Sequence, residues 1–218
     1  GVLHRDLKPE NIMVGEFGEV LVMDWGLAKM LNDECRMTNA RAPEPAAPDS
    51  SSGIRDSSFS GTLSGALLGT PQYMSPEQAA GETNLLDERS DVYSLGAILY
   101  AILTLRPPVA GKSVEELLEK VKTGSITPPT SYGTTKSEAV APKKNGVAEA
   151  KKLQPPPHLP SGRVPPALSA VAMKALTLDK TKRYQDVAAL SAEIERYQSG
   201  FATTAEHAGT LKQLDPET

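Results

Sequence analysis

Cysteine is almost absent from this chain: Cys35 alone can neither close an internal disulfide nor furnish a multi-cysteine zinc site, so nothing points to an oxidising compartment. Positive charge is not in excess either. With 23 Lys and Arg against 27 Asp and Glu the net charge is −4, which argues against a general nucleic-acid binder. A long hydrophobic run is also missing. The longest uncharged apolar stretch, 92–105, falls well short of the ~20 residues a membrane-spanning helix needs, and Arg106, Pro107 and Pro108 follow it. No basic segment followed by an apolar one opens the chain, and its start, GVLHRD without Met, reads as a cut through a longer protein. What is there is 218 residues, 39% hydrophobic and 23% charged, enough for one full-sized domain or for part of a larger one.

Proline marks the organisation. Of the 18 prolines, three fall at Pro43, Pro45 and Pro48, and a second group runs from Pro128 to Pro166. The stretch 37–64 is a Ser/Pro/Ala/Gly mixture with too little apolar content to build an element, and it is expected to be a long mobile loop. The stretch 128–166 carries lysine pairs at 143–144 and 151–152 and three prolines at 155–157, and is expected to be an inserted, solvated surface loop. The lysines of 143–152 are read as solvated. No repeat of fixed period is visible.

Between these stretches the elements are short. Residues 11–14 and 19–23 are strand-like runs joined by Gly15-Glu-Phe-Gly18, the pattern of a hairpin. Residues 90–105 are apolar on nearly all sides, which predicts a helix buried in a helical body. Ser113 and Glu116 have capping-box spacing ahead of a stripe of Val114, Leu117, Leu118 and Val121. Two more stripes follow: Leu168, Val171, Ala172, Ala175 and Leu176, then Val187, Leu190, Ile194 and Tyr197, with a polar turn at 179–183 between them. The expected fold is mainly α with one small β-hairpin.

The stretch HRDLKPEN at 4–11 carries the chemistry. Asp6, Lys8 and Asn11 lie on one loop: a carboxylate to accept or orient a hydroxyl proton, a cation for a phosphate oxygen, and a neutral metal ligand. Asp24 ends the second strand run, so the hairpin brings it near Asn11. Two hard oxygen ligands without a His/Cys cluster suit Mg2+ carried on a nucleotide better than Zn2+.

With these residues in view the sequence resembles the eukaryotic-type protein kinases, and closely their bacterial Ser/Thr branch. HRDLKPEN is similar to the catalytic loop, DWGLAK stands where DFG normally stands, GTPQYMSPEQ at 69–78 resembles the end of the activation segment, and SDVYSLG at 90–96 the start of the central helix. The resemblance implies ATP and Mg2+ as cofactors and protein Ser/Thr hydroxyls as substrates. Asp6 would be the base or orienter, Lys8 would touch the γ-phosphate, and Asn11 and Asp24 would hold Mg2+. Thr70 would shape the pocket for a Ser/Thr substrate. Arg5 would receive an activation-loop phosphate, with Ser57, Ser58, Ser60, Thr62 and Ser64 as candidate acceptors. Glu77 and Arg183 would form a buried ion pair between the activation segment and the lower lobe. Asp91 would bond the catalytic-loop backbone, its plainer alternative being a helix N-cap. His4 is expected to be a packed core histidine, and His158 and His207 solvated. Trp25 replaces the usual Phe.

The resemblance also implies what precedes HRD: a glycine-rich loop, a strand lysine and a helix glutamate. Gly15-Glu-Phe-Gly18 is not that loop, because Met13 stands where its first glycine is required, and Lys29 is on the wrong element. The expectation is therefore a kinase-like C-lobe over 1–200 with its N-lobe missing, a loop at 37–64, an insertion at 128–166 and a tail at 201–218. Such a fragment would be inactive without its own N-lobe, which counts among its partners. It would be cytoplasmic, its parent protein being open to anchoring through a segment outside this chain. A non-catalytic kinase-like binding module and a receptor kinase with a membrane helix beyond Thr218 are the alternatives.

Overall fold

The computed structural model describes residues 1–31, 71–132, 157–159 and 162–206. The first of these segments forms two antiparallel ribbons. One is the expected hairpin, β2 (Ile12–Val14) against β3 (Val20–Val22), with Ile12 opposite Val22 and Val14 opposite Val20. Its turn passes through Gly18 at φ 86°, a left-handed backbone that glycine adopts without a Cβ clash. The other ribbon adds to the sequence reading: β1 (Val2–Leu3) pairs with β4 (Lys29–Met30), Val2 opposite Met30. Strands of two residues have no alternation for a pattern to reveal. This pairing brings the chain just before His4 alongside the chain just after Ala28.

Five α-helices follow among the described residues: α1 (Pro76–Ala79), α2 (Glu88–Thr104), α3 (Val114–Thr123), α4 (Pro166–Ala175) and α5 (Val187–Gln198). As its apolar circumference predicts, α2 is central, with Val92, Tyr93, Ala97, Tyr100 and Leu103 all buried and α4 and α5 packed against it. Val92 and Leu103, withdrawn from water, each stabilise the fold by about 1.5–3 kcal/mol. A Cβ at Gly96 would stand 2.5 Å from the Ala175 Cβ, so glycine is what lets α2 and α4 approach this closely. The helix starts at Asp87, whose carboxylate accepts the Arg89 N–H while its own N–H reaches Ser90 Oγ. Asp91 lies a turn inside, so it is not the N-cap.

The remaining helices follow their stripes with small departures. Ser113 Oγ accepts the Glu116 N–H, but the Glu116 carboxylate turns to the Lys112 N–H, leaving half a capping box. Leu117 and Val121 are buried under α3, and Val171, Ala172, Ala175 and Leu176 under α4. On α5, Leu190 is buried and Ile194 and Tyr197 half-buried, whereas Val187 at the first position is exposed. The described ends of the stretch 128–166 are not solvated throughout. Pro129, Tyr132 and Val164 are buried, and the Tyr132 ring packs edge-on against Tyr100 with their hydroxyls 3.2 Å apart, so both ends of the stretch belong to the core. His158 is exposed, as expected, with its Nε2 2.6 Å from the Ile102 carbonyl. Among the described residues no helix is long and apolar enough to cross a membrane.

Candidate active site

The loop 4–11 runs from β1 into β2, anchored by the buried side chains of Leu3, His4, Leu7 and Asn11. Asp91, on α2, holds its backbone: one carboxylate oxygen accepts the His4 N–H at 2.7 Å and the other the Arg5 N–H at 3.0 Å. Arg5 has φ 67°, a left-handed conformation that costs on the order of 1–3 kcal/mol for a residue with a Cβ and persists where its surroundings enforce it. The Asp6 N–H donates to His4 Nδ1 at 3.2 Å. Since Nδ1 accepts, Nε2 carries the ring hydrogen, and it donates to the Met23 carbonyl at 2.9 Å. His4 thereby pins the 4–11 loop to the end of the hairpin from inside the core.

Three of the predicted side chains meet. Asp6 Oδ2 lies 2.7 Å from Lys8 Nζ and 3.0 Å from Asn11 Nδ2, which also donates to the Asp6 carbonyl at 2.8 Å. The Lys8 and Asp6 side chains are only 15% and 16% exposed, so this charge-assisted bond is partly withdrawn from water. With its amide nitrogen committed to Asp6, Asn11 has Oδ1 left for a cation. The Asn11 carbonyl accepts the Met23 N–H at 2.8 Å, which sets Asp24 one residue from the contact. Asp24 is itself left-handed, φ 59° and ψ 65°, and its exposed side chain caps nothing. One amide oxygen and one carboxylate fit a hard cation that brings further oxygen ligands with it. Among the described residues there is no group of three or more His, Cys, Asp or Glu side chains able to hold a metal by themselves.

Glu77 and Arg183 also meet, 106 residues apart in sequence. Arg183 donates to Glu77 Oε1 at 2.9 Å and to Oε2 at 3.0 Å, and Ser90 Oγ donates to Oε1 at 2.7 Å. Burial pushes the Glu77 carboxyl up, but the bonds from Arg183 and Ser90 outweigh it and hold the group below its usual range. Arg183 also lies over the Tyr93 ring, 5.0 Å from its centre.

The family model for the protein kinase domain matches residues 1–194. The chain belongs to the protein kinase family. It is 35% identical over 204 residues to the serine/threonine-protein kinase PknD of Protochlamydia amoebophila, covering 92% of this chain and 17% of that protein. To PknD of Chlamydia caviae it is 36% identical over 204 residues, with 92% and 17% covered. To the serine/threonine-protein kinase PknB of Mycolicibacterium smegmatis it is 35% identical over 205 residues, with 94% and 24% covered. By family the chain is thus a serine/threonine protein kinase domain of the kind these bacterial proteins carry, and it spans between a sixth and a quarter of these relatives' length.

In this kinase Trp25 is half exposed; its Nε1–H donates to the Val22 carbonyl at 2.9 Å and its ring meets His4 edge-on, centroids 4.7 Å apart. The Arg5 Nε–H donates to the Leu27 carbonyl, close to the hairpin's exit. Thr70, the serines and threonine of 57–64, Cys35, the lysines of 143–152 and His207 lie outside the described residues. One kinase residue that the sequence reading did not single out is Gln78, whose Nε2–H donates to the Arg5 carbonyl at 2.6 Å. Its capping-box spacing from Ser75 is visible in the sequence, but its long-range bond is not.

Proposed function

We propose that this chain is the lower, catalytic lobe of a bacterial kinase that transfers the γ-phosphoryl group of ATP to protein Ser or Thr hydroxyls. The observation that carries the reading is the hydrogen-bonded cluster of Asp6, Lys8 and Asn11 with Asp24 one residue from its edge. Asp6 orients the acceptor hydroxyl and takes its proton as the new P–O bond forms and the bond to ADP breaks. Lys8, already beside Asp6, is placed to share its charge between that carboxylate and a phosphate oxygen. Asn11 Oδ1 and the Asp24 carboxylate are the groups that would hold Mg2+, which when bound neutralises phosphate charge. Arg5 remains the candidate for an activation-loop phosphate, and Thr70 for the substrate pocket.

The described residues supply no glycine-rich phosphate loop, and positioning is most of what a kinase contributes. We therefore assign full activity to a protein that adds an upper lobe to this chain. The hairpin is a surface suited to such a lobe: Met13, Val14, Phe17, Val20 and Leu21 are all exposed on it. Incubation of the full-length protein with γ-labelled ATP and Mg2+, followed by acid hydrolysis, is expected to yield labelled phosphoserine and phosphothreonine. Label confined to phosphotyrosine, or no label with a protein acceptor, contradicts the assignment.

A further inference from the structure

The peptide unit between Arg5 and Asp6 is held at both ends by side chains. Its N–H, on Asp6, donates to His4 Nδ1, and its carbonyl, on Arg5, accepts from Gln78 Nε2. Gln78 sits on α1, 73 residues along the chain. Its amide is oriented from the other side as well: Oε1 accepts the Ser75 N–H at 3.0 Å and lies 3.1 Å from Ser75 Oγ, which in turn accepts the Gln78 N–H at 3.4 Å. Ser75 requires an acceptor and the Arg5 carbonyl requires a donor. The side-chain amide offers both from one planar group, and an ionised carboxylate of the same length keeps the first and loses the second.

The carbonyl that Gln78 holds belongs to the left-handed residue immediately before Asp6. Asp91 secures the N–H groups of His4 and Arg5, but an N–H contact on the near side of Arg5 does not fix the plane of the peptide on its far side. That plane sets where the Asp6 side chain leaves the backbone. A displacement of about 1 Å at such a group is enough to cost roughly a hundredfold in rate.

We propose that Gln78 is a positioning residue for phosphoryl transfer: it locks the Arg5–Asp6 peptide to α1 and so holds Asp6 in line with the acceptor hydroxyl. This rests on the role assigned above to Asp6. Gln78→Glu separates the two arms of the amide, because it preserves the bonds to Ser75 and removes the donor to Arg5. In the full-length protein, with labelled ATP and dephosphorylated casein as acceptor, Gln78→Glu is expected to lower kcat about tenfold or more and to leave the KM for ATP within about twofold. In the same protein, amide hydrogen exchange over 3–11 should rise by about tenfold while that over 73–82 stays at the wild-type rate. An unchanged kcat overturns the proposal. So does faster exchange over 73–82, which marks loss of α1 and not of the link. Asp6→Asn runs beside it as the control for the underlying reading: if that variant keeps wild-type turnover, the role of Asp6 fails, and exchange over 3–11 still reports whether Gln78 holds the peptide.

Discussion

Arg183 uses all five of its N–H donors: Nε reaches the Thr177 carbonyl, one terminal nitrogen Glu77 and the Arg89 carbonyl, and the other Glu77 and the Leu178 carbonyl. Its side chain is 0% exposed and that of Glu77 5%. Removing one partner leaves a buried charge uncompensated, so Arg183→Met should cost about 3–5 kcal/mol in urea unfolding. The same pair gives the protein an acid limit. Glu77 stays ionised in the folded state to a lower pH than in the unfolded chain, so its stabilisation is complete above its usual 4.5 and is lost as pH falls through the folded-state value. Asp87 behaves alike: burial raises it, but bonds from Arg89 and Lys180 bring it from 3.8 to about 2. Stability should therefore fall between pH 5 and pH 2, and Glu77→Gln should start lower and fall less. An equal slope in both proteins excludes Glu77 as a source of the decline. The ion pair was legible only through the resemblance of two short motifs, SPE at 75–77 and KRY at 182–184, to those of the kinase family. The five acceptors of Arg183 were not, since three are carbonyls whose positions come only with the fold.

At the scale of elements, α2 and α4 meet where glycine faces alanine. Gly96→Ala puts a methyl group into space already occupied by Ala175, and is expected to destabilise by about 1–3 kcal/mol despite the better helix propensity of alanine. A stabilised protein in thermal unfolding would mean that the two helices can part at no cost. The helices were visible in advance because periodic burial leaves a periodic sequence. α2 and α4 show this, while Val187 shows its limit: it continues the α5 stripe yet stays exposed, since a stripe does not say how far the partner surface extends. The β1–β4 ribbon was not visible, as it joins residues 2–3 to 29–30 through tertiary contact alone. Tyr132 and Val164 were hidden for a different reason. The prolines around them mark where a helix cannot continue, not where the chain leaves the core.

Among the described residues, a helical body holds most of the buried core and a ribbon segment holds the cluster proposed to carry the chemistry, with the 4–11 loop fastened to the body by Asp91 and Gln78. The cluster of Asp6, Lys8 and Asn11 was legible because its members lie within six positions of one another in the sequence, and loop closure over that distance needs no tertiary information. The fastening residues come from 73 to 87 positions away, and of these only Asp91 has a motif to announce it. The central claim is that Asp6 carries phosphoryl transfer. Steady-state transfer from γ-labelled ATP by the full-length protein, wild type against Asp6→Asn, tests it most directly. The account predicts a loss of about a hundredfold or more in kcat with the fold intact by circular dichroism; turnover by Asp6→Asn within twofold of wild type contradicts it.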